Sequence, residues 1–169
     1  MKNNKENIVL IGMPGVGKST IGVVLAKILG YQFVDADLVI QEKTGRLLKD
    51  IIAEDGIEEF VRIENEVNAS IDTRKSVIAT GGSVVYGTEA MEHLSKIGTV
   101  IYLELELPAL SRRLGSLKQR GVVLKKGQTL KDLYNERTPL YKKYADIIIS
   151  EHHCTIKKTV DKIVKELEG

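Results

Sequence analysis

The sequence predicts an α/β fold in which a central, mostly parallel sheet of five strands carries helices on both faces. Short apolar runs rich in β-branched residues recur along the chain, as is typical of buried parallel strands. Segments with apolar residues at helical spacing separate these runs. A glycine-rich turn, Gly12–Ser19, joins the first run to the first helical segment. This alternation indicates three layers, with the sheet between two layers of helices.

The predicted strands differ in the strength of their pattern. Four are clear, and they cover residues 8–11, 76–80, 99–103 and 146–149. A weaker run, Tyr31–Val34, precedes Asp35, and the first helix is predicted over Thr20–Leu29. Ligands of such sheets bind at the carboxyl ends of the strands. That rule directs attention to the glycine-rich turn, to Asp35 and Asp37, and to residues 81–83.

Length, charge and cysteine content limit the classes of protein to be considered. A chain of 169 residues fits a single domain over 1–169 with a sizeable core. The formal net charge is +2 and both signs are scattered, so we expect neither a nucleic-acid surface nor a polybasic membrane anchor. The first apolar run is interrupted by Gly12 and Pro14, which argues against a signal peptide or a membrane span. The one cysteine, Cys154, cannot form an internal disulfide, which suits the cytoplasm.

The turn after the first strand matches the phosphate-binding pattern G-x-x-x-x-G-K-S. Its glycines allow several backbone N–H groups to face one phosphate, and the helix start adds donors and partial positive charge. Lys18 is expected to reach the β- and γ-phosphates of ATP, and the Ser19 hydroxyl to coordinate Mg²⁺. The alternative is an ordinary strand–helix turn. The predicted nucleotide-binding residues here are Gly12, Gly15, Val16, Gly17, Lys18, Ser19 and Thr20.

Two carboxylates follow the weaker strand. We expect Asp35 and Asp37 to point to opposite sides, one of them towards a metal ion. Asp35 could then hold Mg²⁺ through water. Asp37 could accept a hydrogen bond from the hydroxyl to be phosphorylated, and could also take its proton. The alternative is that one or both cap the following helix, a role compatible with the first.

Other segments suggest parts of a transfer site. A helical insertion is expected within about 38–73, with a turn at Asp55-Gly56, and a basic, glycine-interrupted segment at about 115–127 is typical of a mobile lid over a phosphate. A solvated loop is the alternative for the lid. Gly81 and Gly82 would allow a ligand close to the backbone, or form a plain turn. Arg137 lies near the end of a helical segment that Pro139 is expected to close, and alone it is typical of a solvated charge.

Taken in order, these motifs resemble the shikimate kinase family, within the nucleoside monophosphate kinase-like group of P-loop proteins. The resemblance runs from about Ile8 to the C-terminus. It rests on the glycine loop, F-x-D-x-D at 33–37, Phe60–Glu64 against F-R-x-x-E, Gly81-Gly82-Ser83 against G-G-G, Arg112–Gly115, Arg120, and R-T-P-L-Y from Arg137. It implies transfer of the γ-phosphoryl group of ATP to a hydroxyl of shikimate, in aromatic amino acid biosynthesis, by a cytoplasmic monomer.

The resemblance also implies roles for individual residues. Lys18, Asp37 and Arg120 would be catalytic, with Asp37 on the acceptor hydroxyls and Arg120 over the phosphates. Asp35 would assist the metal and Arg113 would lie against the adenine. The implied acceptor-binding residues are Asp37, Gly81, Gly82, Ser83 and Arg137.

Three departures from the family pattern fall on the acceptor side and on the lid. Val61 stands where the family has an arginine that binds a carboxylate, and the neighbouring Arg62 is the candidate for its role, although one helical step turns a side chain by roughly 100°. Ser83 adds a hydroxyl near the acceptor, and Arg120-Gly121 replaces the usual R-P of the lid. Two alternatives therefore stay open: the same chemistry on a different hydroxylated metabolite, and a nucleotide-binding regulatory module.

Overall fold

The computed structural model describes residues 5–115 and 125–169, and it contains one sheet of five parallel strands. The strands lie in the order β2-β3-β1-β4-β5. Their bounds are β1 Asn7–Ile11, β2 Gln32–Asp35, β3 Ser76–Ala79, β4 Gly98–Glu104 and β5 Ile147–Ser150. All five predicted strands are present, including the weak one, and the α/β fold is confirmed.

The strand β1 lies at the centre of the sheet and is buried along its whole length. Ile8 pairs with Val77 of β3 on one side and with Thr99 of β4 on the other. A strand with neighbours on both edges and helices on both faces has no solvent side, which explains its unbroken apolar sequence.

Eight α-helices and one 3₁₀ turn, Val84–Tyr86, occupy the described part of the chain. The helices that precede β3 are α1 Lys18–Leu29, α2 Ala36–Thr44, α3 Leu48–Asp55 and α4 Ile57–Ala69. Those that follow it are α5 Thr88–Ile97, α6 Leu107–Leu114, α7 Leu130–Tyr144 and α8 Ile156–Glu168. Within residues 5–115 and 125–169, every helix is too short or too polar to cross a lipid bilayer.

Three helices, α2 to α4, form the segment between β2 and β3, where the sequence predicts a helical insertion. They share a small apolar cluster of Ile40, Ile51, Phe60 and Val67, which is separate from the main core around the sheet. The chain turns between α3 and α4 at Gly56, whose φ of +89° favours glycine. Most of the expected lid, residues 116–124, lies outside the described residues.

The helix α7 continues through Pro139 to Tyr144, so the predicted end of this helix was wrong. Proline removes one helical hydrogen bond, but the residues beyond it are held from outside the helix. The ring of Tyr141 stacks on that of Tyr102 with centroids 5.1 Å apart, and its hydroxyl donates to the carbonyl oxygen of Gly82 at 2.6 Å. Tertiary contacts therefore outweigh the local signal.

We predict that Gly22→Ala destabilises the protein although alanine is the better helix former. A Cβ at Gly22 of α1 would lie 2.7 Å from Cε2 of Phe33 in β2. The intrinsic gain of about 1 kcal/mol is then exceeded by an overpacking cost of about 1–3 kcal/mol. Urea unfolding should show a net loss, whereas the control Val23→Ala, at an exposed position of the same helix, should stay within about 0.5 kcal/mol of the parent. A more stable Gly22→Ala variant would contradict this packing.

Candidate active site

A cleft of about 320 Å³ opens at the carboxyl edge of the sheet. The glycine loop after β1, the first turn of α2, the helices α3, α4 and α7, and the residues after β3 contribute to its walls. Its polar or glycine lining includes Gly15, Gly17, Lys18, Ser19, Thr20, Asp37, Glu64, Thr80, Gly81, Gly82, Ser83 and Arg137. The strand-end rule therefore leads to the correct edge of the sheet.

The glycine loop folds around the ammonium group of Lys18. Gly15 and Gly17 both have a φ of +90°, a conformation that side chains disfavour. Lys18 is buried, and its Nζ donates to the carbonyl oxygens of Gly12 at 2.7 Å and Met13 at 3.0 Å. Burial lowers the pKa of Lys18 to about 8, although the carboxylate of Asp37 opposes that shift. The lysine therefore still carries its positive charge at neutral pH.

Asp35 caps the helix α2. Its Oδ1 accepts from the backbone N–H groups of Asp37 at 3.0 Å and Leu38 at 3.4 Å, and its Oδ2 accepts from the Ser19 hydroxyl at 3.2 Å. Because α2 begins at Ala36, the backbone is not extended between the two aspartates. An extended strand would put residues two apart on the same face, so it is the first turn of the helix that separates their directions. One carboxylate thus fixes the helix start and also reaches the glycine loop.

Asp37 lies in the first turn of α2 and faces the cleft. Burial raises the pKa of Asp37 to about 6, with a further contribution from Asp35 and an opposing one from Lys18. A carboxylate with this pKa is mostly ionised at neutral pH but is a stronger base than an exposed aspartate. It is therefore suited to accept a hydrogen bond, or a proton, from a hydroxyl.

Glu64 of α4 forms a second buried carboxyl beside Asp37. Only 2% of the surface of Glu64 is exposed, and its Oε1 accepts a 2.5 Å hydrogen bond from the Ser83 hydroxyl. Burial raises the pKa of Glu64 to about 7; Asp37 adds to this shift, whereas Ser83 and Arg137 oppose it. Sequence reasoning assigned Glu64 no role of its own in the site.

Gly81 and Gly82, just after β3, allow the backbone to pass close to the side chains that line the cleft. A Cβ at Gly81 would lie 2.7 Å from Oε2 of Glu64 and 2.8 Å from Oδ1 of Asp37. A Cβ at Gly82 would lie 2.8 Å from Cδ of Pro14 and 2.9 Å from Nη1 of Arg137. The geometry is that of close approach rather than of a plain turn.

Arg137 of α7 is not a solvated charge, because only 1% of its surface is exposed. Its Cζ lies 5.4 Å from the ring centroid of Tyr86, and its Nε donates to the Tyr86 hydroxyl at 3.4 Å. Arg137 lines the cleft and also an adjoining cavity of about 320 Å³. Val61 and Lys125 lie in the wall of that second cavity.

The remaining predicted residues lie elsewhere. Arg62 projects from the exposed side of α4, where its guanidinium pairs with Glu59 and Glu66, each at 2.5 Å. The structure therefore does not bring Arg62 into the cleft. Arg113 of α6 donates to the carbonyl oxygen of Gly15 at 3.2 Å, outside the cleft walls. Arg120 belongs to the segment outside the described residues.

Sequence reasoning missed a further buried carboxyl, Glu151, which follows β5. Burial raises the pKa of Glu151 to about 7, while Arg113 and Lys18 oppose that shift. The rule that ligands bind at strand ends could have found it, because Glu151 comes directly after the last residue of a strand. It lies with Arg113 in a cavity of about 220 Å³ beside α6.

The arrangement suits phosphoryl transfer, which needs positioning and charge neutralisation more than covalent chemistry by the protein. Lys18 and the loop N–H groups can bind phosphates. Asp37 and Arg137, which lie against Gly81 and Gly82, can bind a hydroxyl and a carboxylate.

Comparisons with known proteins show which family this chain is similar to. A sequence model of the shikimate kinase family matches residues 14–168. The chain is 38% identical to a shikimate kinase of Thermodesulfovibrio yellowstonii over 96% of this chain and 95% of the relative. It is 40% identical to one of Francisella tularensis subsp. novicida, over 94% and 92%. The solved shikimate kinase of Acinetobacter baumannii in complex with shikimate superposes with a TM-score of 0.87 at 30% identity, covering 98% of this chain and 94% of that one.

We predict that Glu64→Gln changes how stability depends on pH. In the folded protein the pKa of Glu64 is about 7, above its ordinary value of 4.5. Between these values the folded state keeps a proton that the unfolded chain releases, so the contribution of Glu64 to stability is lost as the pH rises. The glutamine variant lacks this loss, which amounts to about 2–3 kcal/mol.

Denaturant unfolding at about pH 5 and about pH 8 measures the effect. The parent should lose stability relative to Glu64→Gln as the pH rises. Glu92→Gln, at an exposed position of α5, should follow the parent. Parallel behaviour of the parent and Glu64→Gln would contradict the assignment.

Proposed function

The chain belongs to the shikimate kinase family, and we propose that its cleft holds ATP phosphates beside Lys18 and the acceptor between Asp37 and Arg137. The family's reaction transfers the γ-phosphoryl group of ATP to a hydroxyl of shikimate, a step of aromatic amino acid biosynthesis. The observation that carries the proposal is that Asp37 lies against Gly81 and Arg137 against Gly82, in the same cleft as Lys18.

The glycine loop and Lys18 form the phosphate half of the proposed site. Backbone N–H groups of the loop and of the α1 start would donate to the phosphates, where the partial charge of the helix favours anions. The Lys18 ammonium already lies against the Gly12 and Met13 carbonyls. It would exchange these contacts for phosphate oxygens and stabilise the charge that develops during transfer.

The oxygens of Ser19 and Asp35 would hold Mg²⁺. They lie 3.2 Å apart beside the loop, and oxygen donors are what this ion prefers. Over residues 5–115 and 125–169, no group of three His, Cys, Asp or Glu side chains forms a metal cage. That fits an ion bound through one or two protein oxygens and the substrate's phosphates. When bound, Mg²⁺ neutralises charge on the β- and γ-phosphates.

Asp37 would bind the reacting hydroxyl of the acceptor. Its pKa of about 6 leaves it ionised at neutral pH and able to accept the hydroxyl proton as the new phosphate ester forms. The backbone of Gly81 and Gly82 would lie against the acceptor ring, because these residues carry no side chain to separate them. Arg137 would bind the carboxylate, for which a guanidinium has matching geometry.

Val61 weakens the carboxylate site without abolishing it. A hydrogen bond to a charged group contributes about 1.5–3 kcal/mol, so the missing arginine would lower acceptor affinity about 10- to 100-fold. This was the reason to consider a different metabolite as acceptor. The chain matches relatives named shikimate kinase over nearly their whole length, which favours shikimate as the acceptor instead. Arg137 preserves one partner for its carboxylate.

The rest of the proposal concerns the surroundings of the site. Arg113 would lie against the adenine, in the cavity it shares with Glu151, and Arg120 would reach the phosphates from the segment at about 115–127. The helices α2 to α4 would act as the acceptor-binding insertion of a single domain. We place the reaction in the cytoplasm, which suits the free Cys154, and assign it to a monomer, as the family resemblance implies.

We predict that Lys18→Ala abolishes phosphoryl transfer. Loss of this buried cation removes charge stabilisation from the reacting phosphates and should lower kcat at least about 1000-fold. Release of ADP in the presence of MgATP and shikimate measures the rate. Lys27→Ala, at an exposed position of the same helix, is the matched control and should keep the parent rate. A Lys18→Ala variant with substantial activity would overturn the assigned role.

We predict that Val61→Arg lowers the KM for shikimate. Val61 lies in the wall of the cavity next to Arg137, and position 64 lies one helical turn away on the same face of α4. A new arginine there could pair with Glu64 and bind the carboxylate, for a decrease of about 10-fold. Val61→Met, a long side chain without charge, separates charge from bulk and should not lower the KM. An unchanged KM in Val61→Arg would show that the carboxylate does not bind at this wall.

A further inference from the structure

We propose that Tyr86 is a positioning residue for the acceptor, because it fixes the guanidinium of Arg137 from two directions. This inference rests on the proposed function, in which Arg137 binds the acceptor's carboxylate. The guanidinium carbon lies 5.4 Å from the centre of the Tyr86 ring, within the range of a cation–π interaction. The Arg137 Nε also donates to the Tyr86 hydroxyl over a long 3.4 Å. A ring contact and a polar contact together restrict both the place and the rotation of a planar group.

Tyr86 is itself held in place by a chain of hydrogen bonds. Its hydroxyl donates to Oε1 of Glu136 at 2.8 Å, which leaves the oxygen lone pairs to accept from Arg137. Oε2 of Glu136 accepts from Nε2 of Gln128 at 2.9 Å, and Oε1 of Gln128 accepts from the backbone N–H of Lys125 at 3.1 Å. Burial raises the pKa of Tyr86 above its ordinary value of 10.0, so the hydroxyl keeps its proton at neutral pH. Donor and acceptor roles therefore match along this whole series of hydrogen bonds.

The position of Tyr86 in the sequence links this contact to the rest of the acceptor site. Tyr86 ends the 3₁₀ turn that follows Ser83. One short segment therefore supplies the glycine pair, the Ser83 hydroxyl that donates to Glu64, and the Tyr86 ring that contacts Arg137. Val61, in the wall of the same cavity, brings no charge to the carboxylate. The direction of the Arg137 guanidinium then determines more of the acceptor affinity than it would beside a second arginine.

Steady-state kinetics of Tyr86 variants tests the proposal. Tyr86→Phe keeps the ring and removes the hydroxyl, and should raise the KM for shikimate about 3- to 10-fold. Tyr86→Leu removes both contacts and should raise it about 10- to 50-fold. The KM for ATP should be unchanged and kcat should change less than about 3-fold, since positioning acts on acceptor binding. Tyr31→Phe, just before the amino end of β2 at the opposite edge of the sheet, is the control and should resemble the parent.

A double-mutant cycle with Arg137→Met separates this proposal from the proposed function. If Tyr86 acts through Arg137, then Tyr86→Phe should raise the KM in the parent but should have no further effect in Arg137→Met. An unchanged KM in both Tyr86 variants, or the same fold-increase in both backgrounds, would overturn the role of Tyr86. An unchanged KM in Arg137→Met alone would instead overturn the assignment of Arg137 to the carboxylate.

Discussion

Gly81 and Gly82 set the distance between the parts of the candidate active site. A single Cβ at Gly81 would fall within 2.8 Å of the carboxyl groups of both Asp37 and Glu64. One at Gly82 would collide with Pro14 of the glycine loop and approach Arg137. Because β3 lies between β2 and β1, its carboxyl end adjoins both the aspartates at the end of β2 and the glycine loop at the end of β1. The absence of side chains there lets four separate elements converge on one cleft.

Burial of charge is the second physical theme of the site. Lys18, Glu64 and Arg137 are all buried, and Asp37 lines the same cleft as these three residues. Burial disfavours the charged form of each titrating group, and it accordingly lowers the pKa of Lys18 while it raises those of Asp37 and Glu64. Opposite charges nearby limit these shifts, so the pKa values of all three groups lie close to neutral pH. A protonated lysine and an ionised aspartate are the protonation states that phosphoryl transfer to a hydroxyl requires.

Local patterns predicted the parts of this protein that depend on neighbours in sequence. The strands, the glycine loop and the edge of the sheet that carries the site follow from runs of a few residues each. Patterns could not show what depends on neighbours in space: Tyr141 holds α7 beyond Pro139 from another element, and Ser83 reaches Glu64 across 19 positions. Arg62 shows the same limit, because adjacency to Val61 in sequence places it on a different side of the helix. Tyr86 gave no signal at all, since its role exists only beside Arg137.

We propose that phosphate and acceptor occupy separate parts of one cleft, which meet at the glycine pair. Calorimetric titration of shikimate and of ADP into Gly81→Ala tests this most directly, since the atoms nearest the added methyl group belong to the Asp37 and Glu64 carboxyls. Shikimate affinity should fall at least about 10-fold while ADP affinity stays within about 2-fold of the parent. Unchanged shikimate binding, or an equal loss for both ligands, would contradict it.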